Sequence, residues 1–169
     1  MVDPHTPSDP EPLSAQEEAA WRALARAVLV IPRVLDADLT RSHGINRTEY
    51  AVLMNLSEAP GGSLRMSDLA NYVAISVSGL TRVVMRLERE GRVERTRSTD
   101  DGRGQVATIT PAGLECLRGA WPAHLEGVRR HVMDHLQVLD LEAFAEAMSA
   151  IAWPEIGPPP RAAGPADAS

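Results

Sequence analysis

Residues 66–113 read MSDLANYVAISVSGLTRVVMRLEREGRVERTRSTDDGRGQVATITPAG, and this stretch decides the fold. Ser67 to Val73 has the spacing of a compact helix, with Leu69, Ala70 and Val73 turned inward. A brief turn at Ala74-Ile75 leads to Ser76, a side chain suited to accept from the free N–H groups of a new helix. That helix runs to about Glu90, and Gly91 stops it. Val77, Leu80, Val84 and Leu87 make its apolar face, while Ser78, Arg82, Arg86 and Arg89 lie mostly opposite. Arg92 to Arg97 and Gln105 to Ile109 have strand character, and the turn cluster Ser98-Thr99-Asp100-Asp101-Gly102 joins them as a hairpin. Two short helices with a tight turn, followed by a hairpin, make a winged helix-turn-helix. The second helix of such a unit is the one that enters a DNA major groove.

Helices flank this unit on both sides. Ser14 and Glu17 form a capping box, and Trp21, Leu24, Val28, Ile31 and Leu35 then recur at helical spacing. Pro32 is expected to kink or interrupt that helix, which ends near His43-Gly44. A second helix follows, with Asn46 as cap, Glu49 three residues on, and Leu53 and Leu56 on its buried side. Pro60-Gly61-Gly62 ends it, and Ser63 to Arg65 is a short extended piece. Thr110-Pro111 starts a long helix expected to reach about Gln137. Asp140 caps a last helix with Leu141, Phe144, Met148 and Ile151 on one face.

The predicted fold is mainly α with a small β-hairpin wing, a winged helix-turn-helix between N- and C-terminal dimerisation helices. Its segments are a helix over 14–45, the lobe over 46–110 and helices over 111–153. Residues 1–13 and 154–169, with four and five prolines, are expected to be disordered tails. The apolar stripes of the terminal helices exceed what one small domain covers, so a second copy of the chain is the natural cover.

At 169 residues, 44% hydrophobic and 24% charged, the chain can bury a core. No apolar run has the roughly 18 residues of a membrane span, and the N-terminus lacks the basic start and apolar stretch of a signal peptide. One cysteine cannot form an internal disulfide. These features point to a soluble, cytoplasmic protein. The net charge of −6 argues against nucleic acid only on average, because binding follows local potential. All 17 basic residues are arginine, and seven of them fall between Arg82 and Arg103 against five acids.

Small residues at the start of the second helix (Ser76, Ser78, Gly79) allow close approach to DNA, and its N–H groups favour phosphate. Arginine is the usual two-pronged reader of guanine. Arg95, Arg97 and Arg103 lie on or beside the hairpin loop, where arginine can enter a narrow minor groove. A carboxylate at Asp101 cannot favour phosphate, but it can orient a guanidinium. The alternatives are an ordinary solvated helix face and a plain polar turn.

The pieces Met66-Ser67-Asp68-Leu69-Ala70, Val77-Ser78-Gly79-Leu80-Thr81-Arg82 and Leu87-Glu88-Arg89-Glu90-Gly91-Arg92-Val93-Glu94-Arg95 resemble the multiple antibiotic resistance regulator (MarR) family. So do Asp101-Gly102-Arg103-Gly104 and Ile109-Thr110-Pro111-Ala112-Gly113, in the same order and spacing over roughly 14–153. Arg65 departs from the pattern, standing where the family often has a capping threonine. The resemblance implies a homodimeric transcriptional regulator, more often a repressor, that binds duplex DNA at a pseudo-palindromic site. It implies DNA contacts from Ser76, Ser78, Thr81, Arg82 and Arg86 on the helix, and from Arg97, Asp101 and Arg103 on the wing. It also implies release by a small aromatic or phenolic effector, with Trp21, His43, Tyr50 and Met54 placed to line the pocket. The alternative for Trp21 and Tyr50 is a place in the core.

Other chemistries have less support. Cys116 has no evident cation beside it and reads as a quiet, partly buried thiol rather than a redox sensor. His131 and His135 share a helix face, with His124 seven residues before His131, but no complete metal-ligand set accompanies them. No cofactor is implied. No phosphate-binding glycine loop or nucleophile elbow is present, so an enzyme is not expected. The competing functions are a metal- or redox-responsive regulator of the same fold, and a winged-helix module that binds protein alone.

Overall fold

The computed structural model describes residues 11–97 and 104–152. Helix α1 spans Ala15–His43, α2 Arg47–Glu58, α3 Met66–Val73, α4 Val77–Arg89, α5 Pro111–His131 and α6 Leu141–Ala152. Strands β1 (Ser63–Arg65), β2 (Val93–Arg97) and β3 (Gln105–Ile109) form one antiparallel sheet in the order β1-β3-β2. The mainly helical, winged helix-turn-helix reading therefore holds. The extended piece at Ser63 gains a role as well: it pairs with β3, Ser63 opposite Thr108, and the two hydroxyls lie 2.8 Å apart.

The lobe is built on one core. Leu53 and Leu56 of α2, Leu69 of α3, and Leu80, Val84 and Leu87 of α4 are all fully enclosed, closed off by Val93 and Ala107 of the sheet. Burying a leucine contributes about 2 kcal/mol through removal of apolar area from water, so this cluster fixes where α4 lies. Val77 departs from its expected place on the apolar face: it is 52% exposed. It occupies the first position of α4, where the helix projects past the core, and Ile75 packs inward instead.

The local signals act as their chemistry dictates. Ser14 and Glu17, and Asn46 and Glu49, form reciprocal capping boxes on α1 and α2. Asp140 accepts from the N–H groups of Glu142 and Ala143. The turn between α3 and α4 carries Ala74 at φ 56°, a left-handed conformation that costs an alanine more than a glycine. Arg65 precedes α3 without a side-chain cap.

Two expectations are corrected. Of the kink or interruption expected at Pro32, the interruption does not occur, and α1 runs unbroken from Ala15 to His43. Proline removes one donor, but bonds on either side and the buried Leu35 and Leu39 beyond it carry the helix through. Helix α5 ends at His131 rather than near Gln137, and a single 3-10 turn follows at Met133–His135. Val132 leaves helical geometry (φ −133°, ψ −65°) just after Arg130 and His131 are drawn onto Asp38 of α1. Among the described residues, no helix is long and apolar enough to cross a membrane.

Candidate nucleic-acid interface

The N-terminal end of α4 presents small polar groups on a rigid support. Ser76 Oγ accepts from the Gly79 N–H at 3.1 Å and lies 3.2 Å from Ser78 Oγ. Both serines are exposed. The Thr81 hydroxyl donates to the Val77 carbonyl at 2.8 Å, which fixes its rotamer. Arg82 is exposed, and among the described residues no side chain pairs with it. Leu80, Val84 and Leu87 are buried on the opposite side, so the polar face cannot rotate inward.

Arg86 is placed differently. Its Nε lies 3.1 Å from Glu49 Oε1 of α2 and 3.2 Å from Glu90 Oε1. The N–H is directed at Glu90, so the Glu49 oxygen receives the charge without a formal hydrogen bond. The hydrogen bond that Arg86 donates to Glu90 and the charges of Glu49 and Glu90 raise the guanidinium's pKa further. Glu90 is also held by Arg92, at 2.8 Å. Arg95 is likewise engaged: its Nε and Nη2 both donate to Glu88 Oε2, at 3.0 and 2.6 Å. It therefore ties the sheet to α4 instead of projecting from the hairpin. Arg97, the last residue of β2, is exposed. Asp101 and Arg103 lie outside the described residues.

The residues expected to line an effector pocket do not all meet. Tyr50 is buried with Leu39, Ile45 and Ala120, and Met54, Cys116 and Leu117 pack on this cluster. Trp21 is 60% exposed and sits 18 residues before Leu39 on α1, about 27 Å along a helix that rises 1.5 Å per residue. His43 is exposed, with Nδ1 2.8 Å from Ser42 Oγ. The structure thus joins Tyr50 and Met54, while Trp21 lies far along α1 and His43 is exposed.

His124 enters instead. Its ring stacks on Tyr50 with centroids 4.3 Å apart, and Trp121 lies 6.2 Å beyond. Tyr50 Oη and His124 Nδ1 are both enclosed without a hydrogen-bond partner among the described residues. Burial raises the Tyr50 pKa, with a smaller contribution from Glu58. Burial lowers that of His124, with a smaller contribution from Arg47, which favours the neutral imidazole. Neither Glu49 nor His124 was legible as a partner in sequence. Glu49 looks like an ordinary capping glutamate, and His124 shows only a spacing to His131. The histidines do not converge: His131 Nε2 meets Asp38 at 3.0 Å, and His135 is exposed on the turn after α5. No group of three potential metal ligands occurs among the described residues. Cys116 is partly buried, and burial raises its pKa, which disfavours the reactive thiolate.

A model of the MarR family matches residues 43–104. The chain is 36% identical to Sco3205, a MarR family transcriptional regulator from Streptomyces coelicolor solved in complex with DNA. That match covers 86% of this chain and 91% of the other, with a TM-score of 0.77. The chain belongs to the MarR family. This MarR-family protein is also similar to the transcriptional regulator YfiV of Bacillus subtilis, 30% identical over 64% of this chain and 66% of that one. It is 27% identical to the transcriptional repressor MprA of Escherichia coli, over 66% of this chain and 74% of that one. The chain is thus a DNA-binding transcriptional regulator of the MarR family with a winged helix-turn-helix fold, and the family is one of transcriptional regulators rather than enzymes.

Proposed function

We propose that this chain is a homodimeric transcriptional repressor that reads a pseudo-palindromic operator and is released by a small aromatic or phenolic ligand. One observation carries the DNA reading. The start of α4 holds Ser76, Ser78 and Arg82 outward while its opposite face is locked in the core. The serines suit phosphate or base-edge hydrogen bonds, and the unpaired Arg82 suits guanine. Thr81 and Arg97 join the described set, while Arg103 enters the minor groove and Asp101 orients a guanidinium. Repression is favoured by the likeness to MprA.

The dimer reading rests on α1, α5 and α6. Trp21, Val28, Leu29, Trp121, Leu141 and Ile151 each expose a third or more of their surface in the single chain. A second copy pairing these helices covers them and sets two winged lobes side by side. The ligand reading rests on Tyr50 Oη and His124 Nδ1, two enclosed polar atoms with aromatic walls. An unmet buried polar group costs about 1–3 kcal/mol, and an acid or phenol with its own hydrogen-bonding group relieves that cost.

Fluorescence anisotropy on duplex from the protein's own upstream region, beside a scrambled duplex, tests the function. Preferential binding that weakens as salt rises supports it. Aromatic acids that release the wild type but not Tyr50→Phe support the ligand reading. Equal, weak binding to both duplexes, together with no enrichment in genome-wide selection of bound fragments, sinks the regulator reading.

A further inference from the structure

The carboxylate of Glu49 is 1% exposed, although it carries a charge. A charge taken out of water persists only with compensation. One oxygen, Oε2, accepts from the Asn46 N–H at 2.9 Å and closes the capping box of α2. The other, Oε1, has a single compensating charge among the described contacts, the Arg86 guanidinium of α4 at 3.1 Å. Arg86 continues to Glu90, and Glu90 to Arg92 just before β2. Two acids and two bases alternate, so the line is balanced and joins α2, α4 and the base of the wing.

We propose that Arg86 is a positioning residue rather than a DNA contact: through Glu49 it fixes the setting of α4 on α2, and so the pose in which Ser76, Ser78 and Arg82 meet DNA. This rests on the reading of α4 as the DNA-reading helix. Arg86 lies eight residues past Ser78, about 12 Å along α4 from the end that reads bases. To leave Glu49 for a phosphate it would strand a buried carboxylate. Arg82, by contrast, leaves nothing behind.

The test begins with a duplex selected by the wild-type protein from a randomised library. Affinity and its salt dependence are then measured for Arg86→Gln, Arg86→Lys, Glu49→Gln and the double variant Glu49→Gln/Arg86→Gln. The expected result is a similar loss, about tenfold, in both single Gln variants, with the double variant no weaker than either. The slope of log affinity against log salt stays that of the wild type, and Arg86→Lys recovers part of the loss. The proposal is overturned if Arg86→Gln flattens the slope by about 0.9 per subunit. It is overturned equally if the two losses multiply, or if every variant binds as the wild type does. Should Glu49→Gln fail to fold by circular dichroism, the slopes of the two Arg86 variants decide alone. A wild type that selects no duplex removes the DNA reading itself, and this proposal with it, before any variant is made.

Discussion

Glu88 of α4 and Arg95 of β2 form a closed ion pair in which one carboxylate oxygen receives two N–H groups, at 2.6 and 3.0 Å. Arg95 is 20% exposed and Glu88 37%, so the pair is shielded more than a typical surface bridge. It links the reading helix to the wing strand at a separation of seven residues. Glu88→Gln should lower unfolding free energy by about 0.5–1 kcal/mol in urea titration. It should also speed amide exchange in β2 and β3 more than in α1. Uniform acceleration through the whole chain would show that the pair does not specifically hold the wing.

Gly113 allows the start of α5 to meet the end of the helix-turn-helix. A Cβ there would overlap the Arg92 carbonyl and crowd the Ile109 side chain. Thr110 Oγ1 donates to the Gly91 carbonyl at 2.7 Å and fixes the same junction, so the backbone has little room to yield. Gly113→Ala should destabilise by about 1–3 kcal/mol, visible as a lower Tm. A gain in stability, from better helix propensity, would mean that the junction relaxes freely.

His124 gives the fold a pH dependence of defined sign. Burial, then the Arg47 charge, lowers its pKa in the folded chain below the ordinary imidazole value of 6.5. The unfolded chain therefore takes up the proton first as pH falls. The resulting stability is fully present above the unfolded value and is lost as pH drops from there toward the folded value. In a His124→Gln variant, Tm should vary less with pH over that window. An identical profile in both proteins would place the dependence on other groups.

Asp38 contributes with the opposite chemistry at lower pH. Hydrogen bonds from His131 and Arg130 hold its carboxyl below the usual range against the opposing effect of burial. That contribution exists above the unfolded carboxyl value and is lost as pH falls through the folded one. Asp38→Asn should loosen α5 from α1, read as faster amide exchange near His131, and should flatten the acid limb of the stability curve. An unchanged acid limb would exclude Asp38 as its source.

Arg82 and Val28 test separate parts of the proposed function. Arg82→Ala should cost about 1–3 kcal/mol of binding to a selected duplex and leave Tm unchanged, because no side chain among the described residues pairs with it. Val28→Glu should place a charge on the exposed apolar face of α1 and shift the protein to monomer in sedimentation, with DNA binding lost alongside. Full-strength dimer in Val28→Glu would move the interface off this part of α1.

The amino-acid sequence by itself determined the element order, the caps and the family. Capping boxes, turn residues and apolar spacing are local signals, and each acts within a few residues of itself. Ser14 with Glu17, Asn46 with Glu49, Ser76 and Asp140 could all be read directly for that reason. Tertiary structure alone decided which polar groups are free to act. Arg82 and Arg86 are indistinguishable as letters on one helix. Only the packing of α2 against α4 brings the buried Glu49 to Arg86 and leaves Arg82 open. Likewise Trp21, His43, Tyr50 and Met54 could be named as neighbours, but the length of α1 carries Trp21 away and the packing of α5 brings His124 to Tyr50. Contacts between distant segments depend on how helices lie on one another, and no local spacing encodes that.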